Sequence, residues 1–171
     1  MNGKSNVVLI GMPGCGKSTT GVILATQLAF GFIDSDLLIE LAQGSALENI
    51  LLRRGYQELR HIEEQILLEM ECRHHVIATG GSAVYSSKAM SKLAETGVII
   101  YLEAEFDDLK QRVGDMDQRG VARPDGHTFR DVYDERTPLY EANAEIKVNT
   151  RFKSQDQVAT EIAAILAGLK G

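Results

Sequence analysis

The sequence contains no tryptophan, and only five phenylalanines and five tyrosines in 171 residues. No basic patch interleaved with aromatic residues is visible, so base-stacking recognition of nucleic acid has little to build on. Positive charge is also scarce. Eighteen Lys and Arg against 24 Asp and Glu leave a net charge of -6, which argues against broad attraction to nucleic acid or to an anionic membrane. An anionic substrate would therefore be met by a few placed arginines. No apolar run approaches the length of a bilayer span, and MNGKSNVVLIG lacks the charged start, apolar stretch and cleavage site of a secretion signal. A cytoplasmic protein is expected. Cysteine is limited to Cys15, inside a glycine-rich loop, and Cys72, near the end of an apolar helical pattern. Neither a disulfide nor a cysteine metal site is expected from that pair.

An apolar fraction of 44% is enough to build one compact core, so residues 1–171 read as a single domain. Short apolar runs at Val7 to Ile10, Phe32 to Asp34, His75 to Thr79, Val98 to Leu102 and Glu145 to Val148 read as strands. Helical patterns at Ser18 to Ala29, Asp36 to Ala42, Ala46 to Arg54, Tyr56 to Glu71, Ser87 to Glu95, Phe106 to Val113, Thr128 to Asn143 and Gln155 to Leu169 mostly separate them. This alternation predicts an α/β fold with a parallel sheet covered on both faces. Ser45 with Glu48, and Ser154 with Gln157, have capping-box spacing at two helix starts. The irregular stretch GDMDQRGVARPDGH carries three glycines and one proline. Together with Arg112, Arg119 and Arg123, it predicts a mobile lid over 113–127 that closes on phosphate.

The strongest chemical signal is LIGMPGCGKSTTG. Gly11, Gly14, Gly16, Lys17 and Ser18 satisfy G-x-x-x-x-G-K-[ST] between a strand pattern and a helix pattern. Glycines let the backbone N-H groups curl toward phosphate, and the following helix points its positive end at the same place. Gly11, Gly14, Cys15, Gly16, Lys17, Ser18 and Thr19 are accordingly the predicted nucleotide-binding residues, with ATP as co-substrate. Ser18 is also a predicted Mg²⁺ ligand. The alternative is a glycine-rich turn with no ligand.

The acid that completes such a site does not lie at the end of VIATGGSAV, where the strand runs into Thr79 and two glycines. It lies in FGFIDSDLLIE, where Asp34 and Asp36 flank Ser35 at a strand-to-helix turn. One can support Mg²⁺ and the other can accept a proton from an attacking hydroxyl. The competing role for either is to cap the next helix.

Five segments in order, Gly11 to Thr19, Asp34-Ser35-Asp36, Leu59-Arg60-His61-Ile62-Glu63, Gly80-Gly81-Ser82-Ala83-Val84 and Arg136-Thr137-Pro138-Leu139-Tyr140, together resemble the shikimate kinase family. The resemblance implies a three-layer P-loop fold of the nucleoside-monophosphate-kinase group, with a five-stranded parallel sheet flanked by helices and a mobile lid. It implies ATP and Mg²⁺, with shikimate as a small-molecule substrate phosphorylated on its 3-hydroxyl. By resemblance, Asp34 supports the metal, while Asp36 binds the acceptor and acts as base. Arg60 and Arg136 hold the acceptor carboxylate, and Gly80 and Gly81, with Ser82 beside them, approach its ring. Arg123 reaches the phosphates from the lid, and Arg151 lies at the adenine. Lys17, Asp36 and Arg123 form the expected catalytic group, and a monomer is expected.

Four departures from the family's usual pattern fall on the acceptor and lid side: Leu59 where the family usually has Phe, Ser82 where it has a third glycine, Asp125-Gly126 after Arg123-Pro124 where leucine usually follows, and a shorter interval from there to Arg136. Ser82 adds a hydroxyl and a Cβ where the substrate ring is expected, which keeps another polyol acceptor open. A more distant alternative is a nucleotide-binding module without catalysis. From spacing alone, Arg60 reads first as a surface ion-pair partner of Glu63 or Glu64, and Arg136, before Pro138, as a residue at a helix end or kink. Arg151 has plain surface charge as its alternative. The histidines at 61, 74, 75 and 127 have no metal-ligand spacing.

Overall fold

A computed structural model describes residues 3–113 and 120–169. Five strands form its centre: β1 (Asn6–Ile10), β2 (Gly31–Asp34), β3 (His75–Ala78), β4 (Gly97–Glu103) and β5 (Ile146–Asn149). They lie in the order β2-β3-β1-β4-β5, and every neighbouring pair is parallel. Each sits within two residues of its sequence expectation. The reason is visible in β1, all five of whose residues are buried, and in β4, where six of seven are. A strand covered on both faces is a continuous apolar run, which is an easy pattern to read.

The helices are α1 (Lys17–Leu28), α2 (Ser35–Gln43), α3 (Leu47–Glu69), α4 (Ser87–Thr96), α5 (Phe106–Val113), α6 (Phe129–Asn143) and α7 (Gln155–Gly168). The crossover from β1 to β2 runs along the sheet in the opposite direction to that from β3 to β4. Right-handed connections therefore place α1 and α4 on opposite faces, which gives three layers. No helix among the described residues is long and apolar enough to cross a membrane.

The two helices expected on either side of Gly55 are present: Gly55 is non-helical at φ 80° and ψ 170°, so α3 is two helices meeting at a kink. Other local expectations change. The Ser45–Glu48 capping box does not form. Ala46 is the N-cap of α3, and the Glu40 carboxylate accepts the Leu47 N-H at 3.1 Å instead. The Ser154–Gln157 box does form, and a second joins Thr128 and Asp131 at the start of α6. Pro138 lies inside α6, so Arg136 occupies a helix interior and not an end. Part of the expected lid, with Arg119, lies outside the described residues.

Candidate active site

In a doubly wound sheet, ligands collect where neighbouring strands send their connections in opposite directions. Here those neighbours are β1 and β3, followed by the phosphate loop and by Gly80-Gly81. A cavity of about 500 Å³ opens at that place. Its lining includes Gly14, Gly16, Lys17, Ser18 and Thr19 from the loop and first turn, Asp36 from α2, Glu63 from α3, and Gly80, Gly81, Ser82 and Arg136.

The loop takes its shape from glycine at the turn into α1. Gly16 is the N-cap with φ 100°, in the left-handed region, and no side chain satisfies the first N-H groups of the helix. Those donors are open to an anion. Lys17 is 9% exposed and folds back on the loop, donating to the carbonyls of Gly11 at 2.8 Å and Met12 at 3.1 Å. Cys15 belongs to the core, with its side chain 2% exposed, so it can serve a nucleotide only through its backbone. Gly11 also lies outside the cavity lining.

Asp34 does two jobs at once. Its Oδ1 accepts the Asp36 N-H at 3.0 Å and caps α2, while its Oδ2 accepts the Ser18 hydroxyl at 2.6 Å. Capping and metal support are therefore compatible, because they use different oxygens. Ser18 and Asp34 bring two hard oxygen donors together at the first turn of α1. That donor set fits Mg²⁺, which takes one or two protein oxygens alongside phosphate and water. No cluster of three or more metal-ligating side chains occurs among the described residues.

Ser35, between the two aspartates, is fully buried, and its hydroxyl accepts the Gly80 N-H at 2.8 Å. This bond ties the α2 corner to the loop after β3. A Cβ at Gly80 would stand 2.3 Å from Glu63 Oε1 and 2.6 Å from Asp36 Oδ1, so a larger residue there would displace these carboxyls. Two carboxyls thus crowd one point. Burial pushes Asp36 up to about 6, opposed by Lys17 and assisted by Asp34. Burial likewise pushes Glu63 up to about 7, with Asp36 adding to the shift and the Ser82 hydrogen bond opposing it.

The two arginines meet at one acceptor. Arg136 Nη2 donates to the Ala122 carbonyl at 2.5 Å, and Arg60 Nη2 donates to the same oxygen at 3.3 Å. Arg136 is 1% exposed, with its Nε 3.4 Å from the Tyr85 hydroxyl. The Arg60 guanidinium lies 3.7 Å over the Tyr85 ring, and burial lowers its pKa. Arg60 is therefore turned inward, and the surface-pair alternative fails. Tyr140 donates to the Gly81 carbonyl at 2.6 Å, holding the glycine loop from behind.

Arg60 does not line this cavity but a separate hollow with Glu63, Ser82 and Tyr85, and Arg123 and Arg151 also stand apart from it. Arg123 donates to the His127 carbonyl at 2.9 Å and lines a separate hollow with Leu51, Gly55, Tyr56 and Asp125. Arg151 is half exposed, 4.8 Å over the Phe152 ring and 4.0 Å from Glu105. Conversely, Glu63 and Tyr85 were not singled out from sequence. Glu63 closes the Leu59–Glu63 segment of the family resemblance but takes no role from it, and its i+3 spacing from Arg60 looks the same on a solvated face.

A phosphate loop at the switch point, carboxyls beside it and Arg136 in the same cavity define a P-loop kinase that phosphorylates an alcohol on a small molecule. Comparison with known proteins narrows the class. The shikimate kinase family model matches residues 13–167. A shikimate kinase of Pasteurella multocida is 35% identical, with 98% of each chain covered, and one of Persephonella marina is 30% identical, covering 92% of this chain and 96% of its own. The Acinetobacter baumannii shikimate kinase solved in complex with shikimate superposes with a TM-score of 0.89 at 28% identity, over 98% of this chain and 95% of that one. The chain belongs to the shikimate kinase family.

Proposed function

We propose that this protein transfers the γ-phosphoryl group of ATP to the 3-hydroxyl of shikimate, giving shikimate 3-phosphate and ADP. The observation that carries the reading is the single cavity shared by the phosphate loop, Asp36 and Arg136, with Arg60 on the same carbonyl as Arg136. A small hydroxylated carboxylic acid matches that arrangement: its carboxylate meets two guanidinium forks while a hydroxyl reaches Asp36.

In this mechanism, Lys17 leaves the Gly11 and Met12 carbonyls for the β and γ phosphates, and the open N-H groups of the loop cradle them. Ser18 and Asp34 would hold Mg²⁺, which neutralises phosphate charge when bound. Asp36 takes the acceptor proton as the hydroxyl oxygen bonds to the γ phosphorus and the bond to the ADP oxygen breaks. A carboxyl titrating near 6 is ionised at neutral pH yet more basic than an exposed aspartate, which suits that task. Gly80 and Gly81 present the acceptor's floor, while the Ser82 hydroxyl beside them is turned to Glu63. Arg123 acts from a lid over 113–127 and approaches the phosphates only on closure. Arg151 borders the adenine. The whole chain works as one catalytic domain, as a cytoplasmic monomer.

Product analysis tests the assignment. Phosphorus coupling to the proton on carbon 3 of the product is expected by NMR; coupling at another carbon, or to a different acid in a substrate panel, would replace this acceptor.

A further inference from the structure

Within α3, Arg60 and Glu63 are three residues apart, on neighbouring positions of one helical turn, and both flank a small hollow with Ser82 and Tyr85. They carry opposite formal charge, and each keeps a buried atom without a hydrogen-bond partner: Nε of Arg60 and Oε1 of Glu63. Burial without a partner is costly for either, so their failure to pair needs a cause. Two contacts supply it. The Ser82 hydroxyl donates to Glu63 Oε2, and the Tyr85 ring lies under the Arg60 guanidinium. Ser82 itself is 8% exposed, and its hydroxyl is spent on Glu63.

We propose that Ser82 is a positioning residue that sets acceptor affinity through Glu63. By claiming Oε2 it pins this carboxyl above Gly80 beside Asp36, and so withholds it from Arg60. Arg60 then keeps donors for the carboxylate of the incoming acid, where a Glu63 partner would compete for them. This role rests on the acceptor reading given above, and it assigns Ser82 no contact with the substrate.

The test combines kinetics with a measurement that needs no substrate. In Ser82→Ala, the shikimate KM is expected to rise about tenfold, while kcat and the ATP KM stay within about twofold. Ser82→Thr, which keeps the hydroxyl, restores the KM. In a Glu63→Gln background, Ser82→Ala has no further effect on KM, since the competitor has been removed. An unchanged KM in Ser82→Ala, or an equal rise in the Glu63→Gln background, would overturn the proposal. The Nε-H resonance of Arg60 in the full ¹⁵N-labelled chain reports the pairing directly. It should move downfield in Ser82→Ala as Glu63 turns to it; an unmoved resonance contradicts the role. If the wild type shows no shikimate-dependent turnover, the function reading falls, and this resonance alone decides the Ser82 claim.

Discussion

Ser18 Oγ lies 2.6 Å from Asp34 Oδ2, joining the first turn of α1 to the end of β2. The bond brings together two oxygens that are sixteen residues apart in sequence, at the edge of the phosphate loop. Asp34→Asn should therefore raise the Mg²⁺ concentration needed for half-maximal turnover by about tenfold, with activity recovered at saturating metal. Because the same aspartate caps α2, a loss of stability of about 1 kcal/mol or less accompanies the change. A Mg²⁺ titration and a melting curve separate the two effects. Unchanged metal dependence would remove Asp34 from the metal site.

Asp36→Asn removes the proposed base without altering the loop. A fall in kcat of roughly 10²- to 10⁴-fold is expected, with ATP affinity nearly intact, because general-base catalysis is worth about that much. Isothermal titration with ATP and steady-state rates check it. A variant that turns over at the wild-type rate would take Asp36 out of the mechanism.

The pH dependence follows from the same carboxyl. Asp36 must be ionised to accept a proton, so kcat/KM should decline as pH falls through about 6. Its effect on stability has the opposite slope. A carboxyl whose folded pKa is raised favours folding below its unfolded value and loses that contribution as pH rises through the folded one. Asp36→Asn should consequently melt higher than wild type at pH 8 and show a smaller advantage at pH 4. The gain is at most about 3 kcal/mol, from two pKa units at about 1.4 kcal/mol each. An acid limb near pH 4 in the rate profile would show that Asp36 is not tuned this way.

Arg60→Lys keeps a charge but loses the planar fork. The shikimate KM should rise by about tenfold or more, the loss of a charge-assisted bond of roughly 1.5 to 3 kcal/mol, with little change for ATP. Equal effects on both substrates would count against a carboxylate clamp.

The sequence was most legible where one physical demand dominates. Buried parallel strands must be apolar along their length, and a phosphate loop must place glycines and lysine at fixed intervals, so β1 and Gly11 to Ser18 could be read directly. Pairwise choices were less legible. Ser45 and Glu48 had the spacing of a capping box, but Glu40, five residues before Ser45, took the Leu47 N-H. Pro138 suggested an end or kink beside Arg136, whereas α6, read as one helix over 128–143, runs on through it. Ser35 looked like a spacer between two aspartates and is instead the anchor of Gly80. Arg60 and Glu63 had the spacing of a surface pair, and only the position of Ser82 and Tyr85 explains why each turns elsewhere. Family resemblance picked out the proposed acceptor residues, whereas the hydrogen bonds among them depend on segments far apart in the chain.

The most direct test of the central claim is ADP release by purified protein with Mg²⁺ and ATP, measured with and without shikimate, beside Asp36→Asn as a control. The account predicts turnover that rises with shikimate at micromolar to millimolar concentrations and is nearly abolished in the variant. ADP release indifferent to shikimate, or tight ATP binding with no turnover, would contradict it.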